Sequence, residues 1–361
     1  MTIMGKTLHI PGPISRNITF VVSILLFTLF FIFGSVLYKD KGFFSLQVLC
    51  NLLIDNSYLL IAAIGSTMVV VTGGIDLSVG AVIAFCNMCM AYMLTVLKLP
   101  LLPCVFIVLM IGTLFGMLHG YLVTFKGFQP FIATLAGQFI ARGLCYVITT
   151  DTIPMNQIQL VRLAIFKIRF LGSFLTLGAL LALIMIVVFQ IITQYSQFGR
   201  NIYAIGGNEQ SASLMGLPVK KTKFFTYTCS GFLAGVASLA FTLYMLSATG
   251  IHCDGLHLDA VAASVIGGAL TSGGVGLVIG TLFGVMTQGT IRTILTFHGN
   301  LSSWWVKIAT ALLLLTFILI QKAIVTHQQR SRISKKIEMV NPEPATEGAT
   351  SEMRDSPPVE A

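Results

Sequence analysis

The residues of this chain that could do chemistry are few, and they sit in unusual places. "VVVTGGIDLSVGAVIAF", from Val69 to Phe85, sets Asp76 behind the pair Gly73 and Gly74 inside an otherwise apolar run. Glycine tolerates positive φ and close backbone approach, so the pair predicts a broken helix at that point. A carboxylate at the first turn of the next helix can accept from free backbone N–H groups and face the positive end of the dipole, which makes Asp76 an N-cap. It also makes Asp76 a candidate for lining a polar route, because an ionisable group at membrane depth usually faces a bundle interior or water. The two readings are compatible.

A second stretch repeats the theme. "LDAVAASVIGGALTSGGVGLVIGTLFG", from Leu258 to Gly284, carries Asp259, the pair Gly267 and Gly268, the pair Gly273 and Gly274, and then Gly276 and Gly280. Two glycine-broken segments in the two halves of one chain predict a pseudo-repeat around a central pathway. Dense glycine also allows simple close packing of helices. The loop "HCDGLHLD" gathers His252, Cys253, Asp254 and His257, but no metal site is assigned to it.

Nothing else resembles a catalytic constellation. There is no G-x-x-x-x-G-K-S/T phosphate loop, so the chain is not expected to hydrolyse ATP, and neither an H-E-x-x-H helix nor a G-x-S-x-G elbow is present. No cofactor is implied. Cys50, Cys86, Cys89, Cys104, Cys145 and Cys229 lie in or beside apolar segments, so they read as small packing residues, with no disulfide framework.

The elements that must position these residues are membrane helices. With 55% hydrophobic and 10% charged residues over 361 positions, and a mean hydropathy of +0.89, the chain cannot present a surface to water and reads as an all-α polytopic membrane protein. Windows of about 20 residues, the length that crosses ~30 Å of hydrocarbon, fall near 18–38, 57–73, 77–97, 101–124, 130–149, 173–193, 224–247, 259–270, 275–297 and 304–325. That makes about ten spans, the short 259–270 segment being the least complete. The division expected is a cytoplasmic N-terminus over 1–17, a transmembrane domain over 18–325 and a cytoplasmic, disordered tail over 326–361, rich in Pro, Glu, Ser and Thr.

The formal charge of +9 comes from 22 Lys plus Arg against 13 Asp plus Glu. In short loops between apolar spans those cations are topology signals and contacts for anionic membrane lipid; they do not indicate nucleic acid. Lys6, Arg16, Lys126, Arg200, Lys220, Lys221 and Lys223, with Arg330, Arg332, Lys335 and Lys336, fall on one side of a ten-span chain, which predicts both termini in the cytoplasm. Arg162, Lys167 and Arg169 dissent, since the same count puts their loop outside. Within the long basic-side loop "FGRNIYAIGGNEQSASLMGLPVKKTKFF", Asn208 reads as an N-cap, Glu209 as a first-turn residue, and Gly216 with Pro218 as a stop, predicting a helix of about two turns that could dock a partner.

"GGIDLSVGAVIAF", "FGRNIYAIGGNEQSASLMGL" and "LDAVAASVIGGALTSGGVG" together resemble the signature segments of ribose- and xylose-type ABC transporter permeases, over roughly residues 45–325. "LSSWW" at 301–305 and the preceding "GTLFGVMTQGTIRTIL" resemble the galactofuranose-uptake branch most. The resemblance implies a bacterial inner-membrane importer of the type II permease fold with broken helices, paired with a second copy or a related permease. A separate ABC ATPase subunit would drive it, and a periplasmic sugar-binding protein would deliver the monosaccharide. In that family a Glu-x-x-Ala-x-x-x-Gly pattern meets the ATPase; here it falls on Glu209, Ala212 and Gly216. The family's G-G-I-D-L-S segment, close to the translocation route, falls on Gly73 to Ser78. Thr72, Ser78, Asn87, Thr134 and Gln138 become candidate lining groups, with Asp76, Asp259, Gly267 and Gly268. Where the family usually has Glu-Leu-Asp, this chain has His257, Leu258 and Asp259, replacing a carboxylate by an imidazole.

Two other classes stay open on residues alone. One is a secondary transporter coupled to H⁺ or Na⁺, using Asp76, Asp259 and Arg142 as intramembrane charges. The other is a channel-like membrane protein with no energy coupling.

Overall fold

Helix dominates because most of the chain is too apolar to leave its backbone groups unpaired in a lipid environment. The computed structural model describes residues 13–298 and scattered positions between 304 and 319; the account below concerns the first of two compact units, Met1–Leu315. The expectations for 1–12 of the N-terminal segment, for most of 304–325 and for the tail at 326–361 lie outside the described residues.

In chain order the helices are α1 (Pro13–Leu37), α2 (Leu46–Asp55), α3 (Ser57–Val71), α4 (Val79–Ala91, continued by a π turn over Tyr92–Val96), α5 (Leu101–Thr124), α6 (Pro130–Ile148), α7 (Ile158–Ile165), α8 (Leu177–Tyr195), α9 (Gln197–Gly207), α10 (Glu209–Leu214), α11 (Val219–Met245), α12 (Leu256–Ile266) and α13 (Val278–His298). Two small ribbons accompany them. β1 (Ile153–Pro154) pairs antiparallel with β4 (Ser247–Ala248), and β2 (Lys167–Phe170) pairs antiparallel with β3 (Ser173–Thr176).

Among the described residues seven helices are long and apolar enough to cross a membrane, and α2 with α3, bent by 62° at their junction, make an eighth. The span expected at 57–73 therefore begins earlier, at Leu46. Asn56 makes the bend: its side chain donates to the Leu52 carbonyl at 2.9 Å, while the Ser57 hydroxyl donates to Ile54 at 3.0 Å. The segment expected at 259–270 is α12, whose 11 residues extend about 16 Å, too short to cross alone. The segment expected at 173–193 starts as strand, and its helix begins at Leu177.

α3 and α11 form the centre. Fourteen residues of α3 are buried, which is what a helix apolar on all faces requires. α11 meets α5 along a stripe of small residues: a Cβ on Gly112 would lie 2.6 Å from the Gly231 carbonyl oxygen, one on Gly120 would lie 2.8 Å from that of Phe224, and one on Gly116 would collide with that of Tyr227. Between helices in an apolar medium, such backbone proximity gives dispersion contact that larger side chains would prevent. By contrast, α1 turns Leu25, Leu29, Phe33 and Val36 outward, the lipid-facing side of a span.

Candidate functional site

The first glycine break lies between α3 and α4. Gly73 adopts φ +79°, the left-handed region that favours glycine, and its N–H closes a turn on Val70 at 2.9 Å. The chain then runs without regular structure to Ser78, which occupies the N-cap position of α4 without a side-chain cap bond. Asp76 is thus two residues ahead of the cap position predicted for it, and it organises the break itself. Its Oδ1 accepts from the Ser78 N–H at 3.0 Å and the Ser78 hydroxyl at 2.6 Å, and its Oδ2 accepts from Ser230 of α11 at 2.8 Å. The 2.6 Å bond has the length of a hydroxyl donating to a carboxylate. Asp76 is only 3% exposed, so the carboxyl is satisfied by protein.

Further groups close around it. His119 of α5 is buried, with Nδ1 3.3 Å from the Ser78 hydroxyl. The Tyr227 side chain of α11 is buried with its hydroxyl against Gly74, where any Cβ would strike it. Thr134 of α6 donates to its own helix at Pro130, 2.8 Å, with a longer contact to the Ile75 carbonyl at 3.4 Å. Thr72 caps the end of α3 by donating to Val69 at 2.7 Å.

The second break lies between α12 and α13. Here Gly267 faces Gly280 so closely that a Cβ would lie 2.6 Å from the Gly280 carbonyl oxygen, and Gly268 follows at φ +97°. One turn earlier, Ser264 of α12 accepts from Thr67 of α3 at 2.9 Å, and the Thr67 hydroxyl lies 2.6 Å from that of Thr281 on α13. Three helices are joined by this buried hydroxyl cluster, in which each oxygen can both donate and accept.

The two breaks meet. The Gly274 N–H donates to the Val71 carbonyl at 2.8 Å, and Tyr203 of α9 donates to the Gly276 carbonyl at 2.9 Å. Gly206, near the end of α9, is pressed onto both Val71 and Gly274, with no room for a Cβ. α10 follows at once, in the form predicted from its loop. Asn208 accepts from the Ser211 N–H at 2.8 Å as the N-cap, Ala212 is fully buried, and Gly216 ends the turn at φ +78°. Glu209 pairs with Lys223 of α11 at 2.6 Å. An open polar cleft of about 390 Å³ lies at this junction, lined among others by Thr72, Gly73, Glu209, Lys223 and Ser272.

The remaining predicted residues stand apart. Asn87 joins α4 to α11 and β4, accepting from Thr242 at 2.8 Å and donating to the Ser247 carbonyl at 3.0 Å. Gln138 is half-buried on α6. Asp259 forms an ion pair with Arg292 of α13 at 2.6 Å, both about one-third exposed. Arg142 donates to the carbonyls of Gly250 and His252, fastening α6 to the turn before α12. His252 packs edge-on against Phe241, and burial followed by the Arg142 charge lowers its pKa below the ordinary histidine value. Among the described residues no group of three His, Cys, Asp or Glu is placed to hold a metal ion.

Sequence reasoning passed over Ser230, His119, Tyr227 and Arg292. His119 and Arg292 carried a usable signal, an ionisable side chain within an apolar run. Ser230 and Tyr227 carried none, since only packing reveals that they face Asp76 and Gly74.

Residues 48–320 match the family described as branched-chain amino acid transport system / permease component. The chain is 40% identical over 330 residues to the inner membrane ABC transporter permease protein YjfF of Escherichia coli, an alignment covering 91% of this chain and 98% of that one. It is 35% identical to the fructose import permease protein FruG of Bifidobacterium longum, covering 84% and 90% of the two chains. It is 37% identical to the ribose import permease protein RbsC of Haemophilus influenzae, covering 78% and 86%. No solved structure is significantly similar to it. With most of its length matched by permeases, and with both glycine breaks and the α10 loop inside the matched region, the chain belongs to this permease family and, within it, to the ribose/xylose-type sugar ABC permeases.

Proposed function

We propose that the chain is the translocation subunit of a bacterial inner-membrane importer that passes a monosaccharide, with galactofuranose or a pentose such as ribose or xylose as the candidate cargo. Two permeases, identical or related, form the path. An ABC ATPase subunit grips the loop from Glu209 to Gly216 on the cytoplasmic side, where both termini also lie, and a periplasmic sugar-binding protein delivers the substrate. The relatives' names support the class, since FruG and RbsC are named as fructose and ribose import permeases. The chain itself is a translocation component and not an enzyme.

The observation that carries this reading is the contact of α9 with both glycine breaks through Gly206, Val71 and Gly274. A pull on α10 has a short path to the end of α3 and to the break between α12 and α13, so closure of an ATPase pair can shift the breaks that hold Asp76, Gly267 and Gly268. Thr72, Gly73, Gly74, Ser78, Asn87, Thr134, Gln138 and Asp259 remain the proposed neighbours of the route. An uncharged sugar needs weak, exchangeable hydrogen bonds there, with tight binding left to the delivery protein.

The test is uptake by proteoliposomes holding the permease, its ATPase and its binding protein. Glu209→Ala with Gly216→Val should abolish ATP-driven uptake while leaving membrane insertion normal. Uptake by the chain alone under a proton or sodium gradient, insensitive to both substitutions, would establish the secondary transporter instead.

A further inference from the structure

Arg162, Lys167 and Arg169 stand at the end of the bundle away from Arg200, Lys220, Lys221 and Lys223, because α8 runs its full length between the two groups. Topology signalling alone does not account for cations at both ends. The residues beside them offer a reason. On α7, Leu160 is buried, while Arg162 and Leu163 are both exposed, Leu163 at the rim of the cavity below. Under α7 lies a cavity of about 250 Å³ between α5, α8 and α11, bounded by Leu101, Leu160, Leu163, Leu181, Ile184 and Leu243. Its one polar lining residue is Thr242, whose hydroxyl is already committed to Asn87. Such a lining cannot replace the hydrogen bonds a sugar makes to water. Smaller apolar cavities of about 150 Å³ stay dry and accept hydrocarbon.

A second cavity of about 150 Å³ shares Leu163, Leu177 and Leu243 with the first and reaches the polar groups of Ser57, Thr176 and Tyr244. Thr176 pairs across the ribbon with Lys167, whose ammonium lies 4.1 Å from the centre of the Phe174 ring. Along this face the lining therefore passes from apolar, through mixed, to the ribbon that carries Lys167.

We propose that this is a binding site for one anionic membrane phospholipid. Its acyl chain fills the apolar cavity, its glycerol ester region lies in the mixed one, and its phosphate lies beside Arg162 and Lys167. The charge complementarity selects a lipid over a second protein copy, and the site does not depend on which sugar is carried.

Native mass spectrometry tests this on the full chain released from nanodiscs of equal phosphatidylglycerol and phosphatidylethanolamine. The intact protein should retain one phospholipid, enriched in phosphatidylglycerol. Arg162→Gln with Lys167→Gln, both on exposed positions, should lower that enrichment about fivefold for each charge removed. Leu181→Trp, which fills the apolar cavity, should lose the retained lipid while eluting as the same monodisperse species. The proposal is overturned if the intact chain keeps no lipid, if the double glutamine variant keeps its preference unchanged, or if a cysteine at Leu163 crosslinks to a second copy across this face. Should Leu181→Trp not fold, the glutamine pair still decides the matter.

Discussion

Replacing Asp76 by alanine removes the acceptor of three donors at once: the Ser78 N–H at 3.0 Å, the Ser78 hydroxyl at 2.6 Å and the Ser230 hydroxyl at 2.8 Å. The two bonds to Ser78 organise the break between α3 and α4, and each contributes ~1–1.5 kcal/mol in the range of ordinary protein hydrogen bonds. The Ser230 bond joins two helices in an apolar medium, where measured values are smaller, about 0.6 and at most about 1.7 kcal/mol. Asp76→Ala should therefore cost about 3–4 kcal/mol, and Ser230→Ala about 1 kcal/mol. Asp76→Asn can keep Oδ1 on Ser78 and change only the group that meets Ser230, so it should resemble Ser230→Ala. The double variant Asp76→Asn with Ser230→Ala should cost little more than either alone, a coupling of about 1 kcal/mol. Unfolding of the purified chain by added sodium dodecyl sulfate in mixed micelles reads these differences. The reasoning is refuted if alanine at 76 costs no more than Ser230→Ala, or if the costs of the asparagine and alanine changes simply add.

Two further outcomes follow from the packing and from the charged turn. Gly116→Leu should lower stability in the same assay by about 1–3 kcal/mol or more, since the α5 and α11 backbones must separate to admit it, whereas Gly143→Leu on α6, with open space at its Cβ, should be close to neutral. His252 has a pKa lowered by burial and then by Arg142, so the folded chain binds fewer protons there than the unfolded one. Its contribution is complete above pH ~6.5 and is lost as pH falls from there through the lowered value. Protection of the amides over 249–255, measured as exchange relative to the intrinsic rate at each pH, should fall on acidification across that window, and His252→Gln should flatten the response.

The local features were legible in residues one short segment at a time. Hydropathy placed the spans, because crossing a bilayer demands a fixed apolar length, and Asn208, Glu209 and Gly216 announced α10, because caps and stops are satisfied by their immediate neighbours. The glycine pairs announced the breaks for the same reason: a backbone turn is a property of the residues that make it. The bend at Asn56, the β2–β3 ribbon and the early end of α12 were not legible, since each depends on what a neighbouring element offers in exchange for an interrupted helix.

The sequence by itself determined that this is an all-α membrane protein with the signature segments of a permease family, where its chain is broken and where its long basic loop carries a short helix. Only the tertiary structure decided that Asp76 is held by Ser230 of α11, that Asp259 is paired with Arg292, and that the two breaks touch each other beneath α9. Those outcomes join residues up to about 200 positions apart. Apolar helices carry no local label saying which face meets which partner, so the choice falls to small-residue packing and to the need of each buried polar group for a partner.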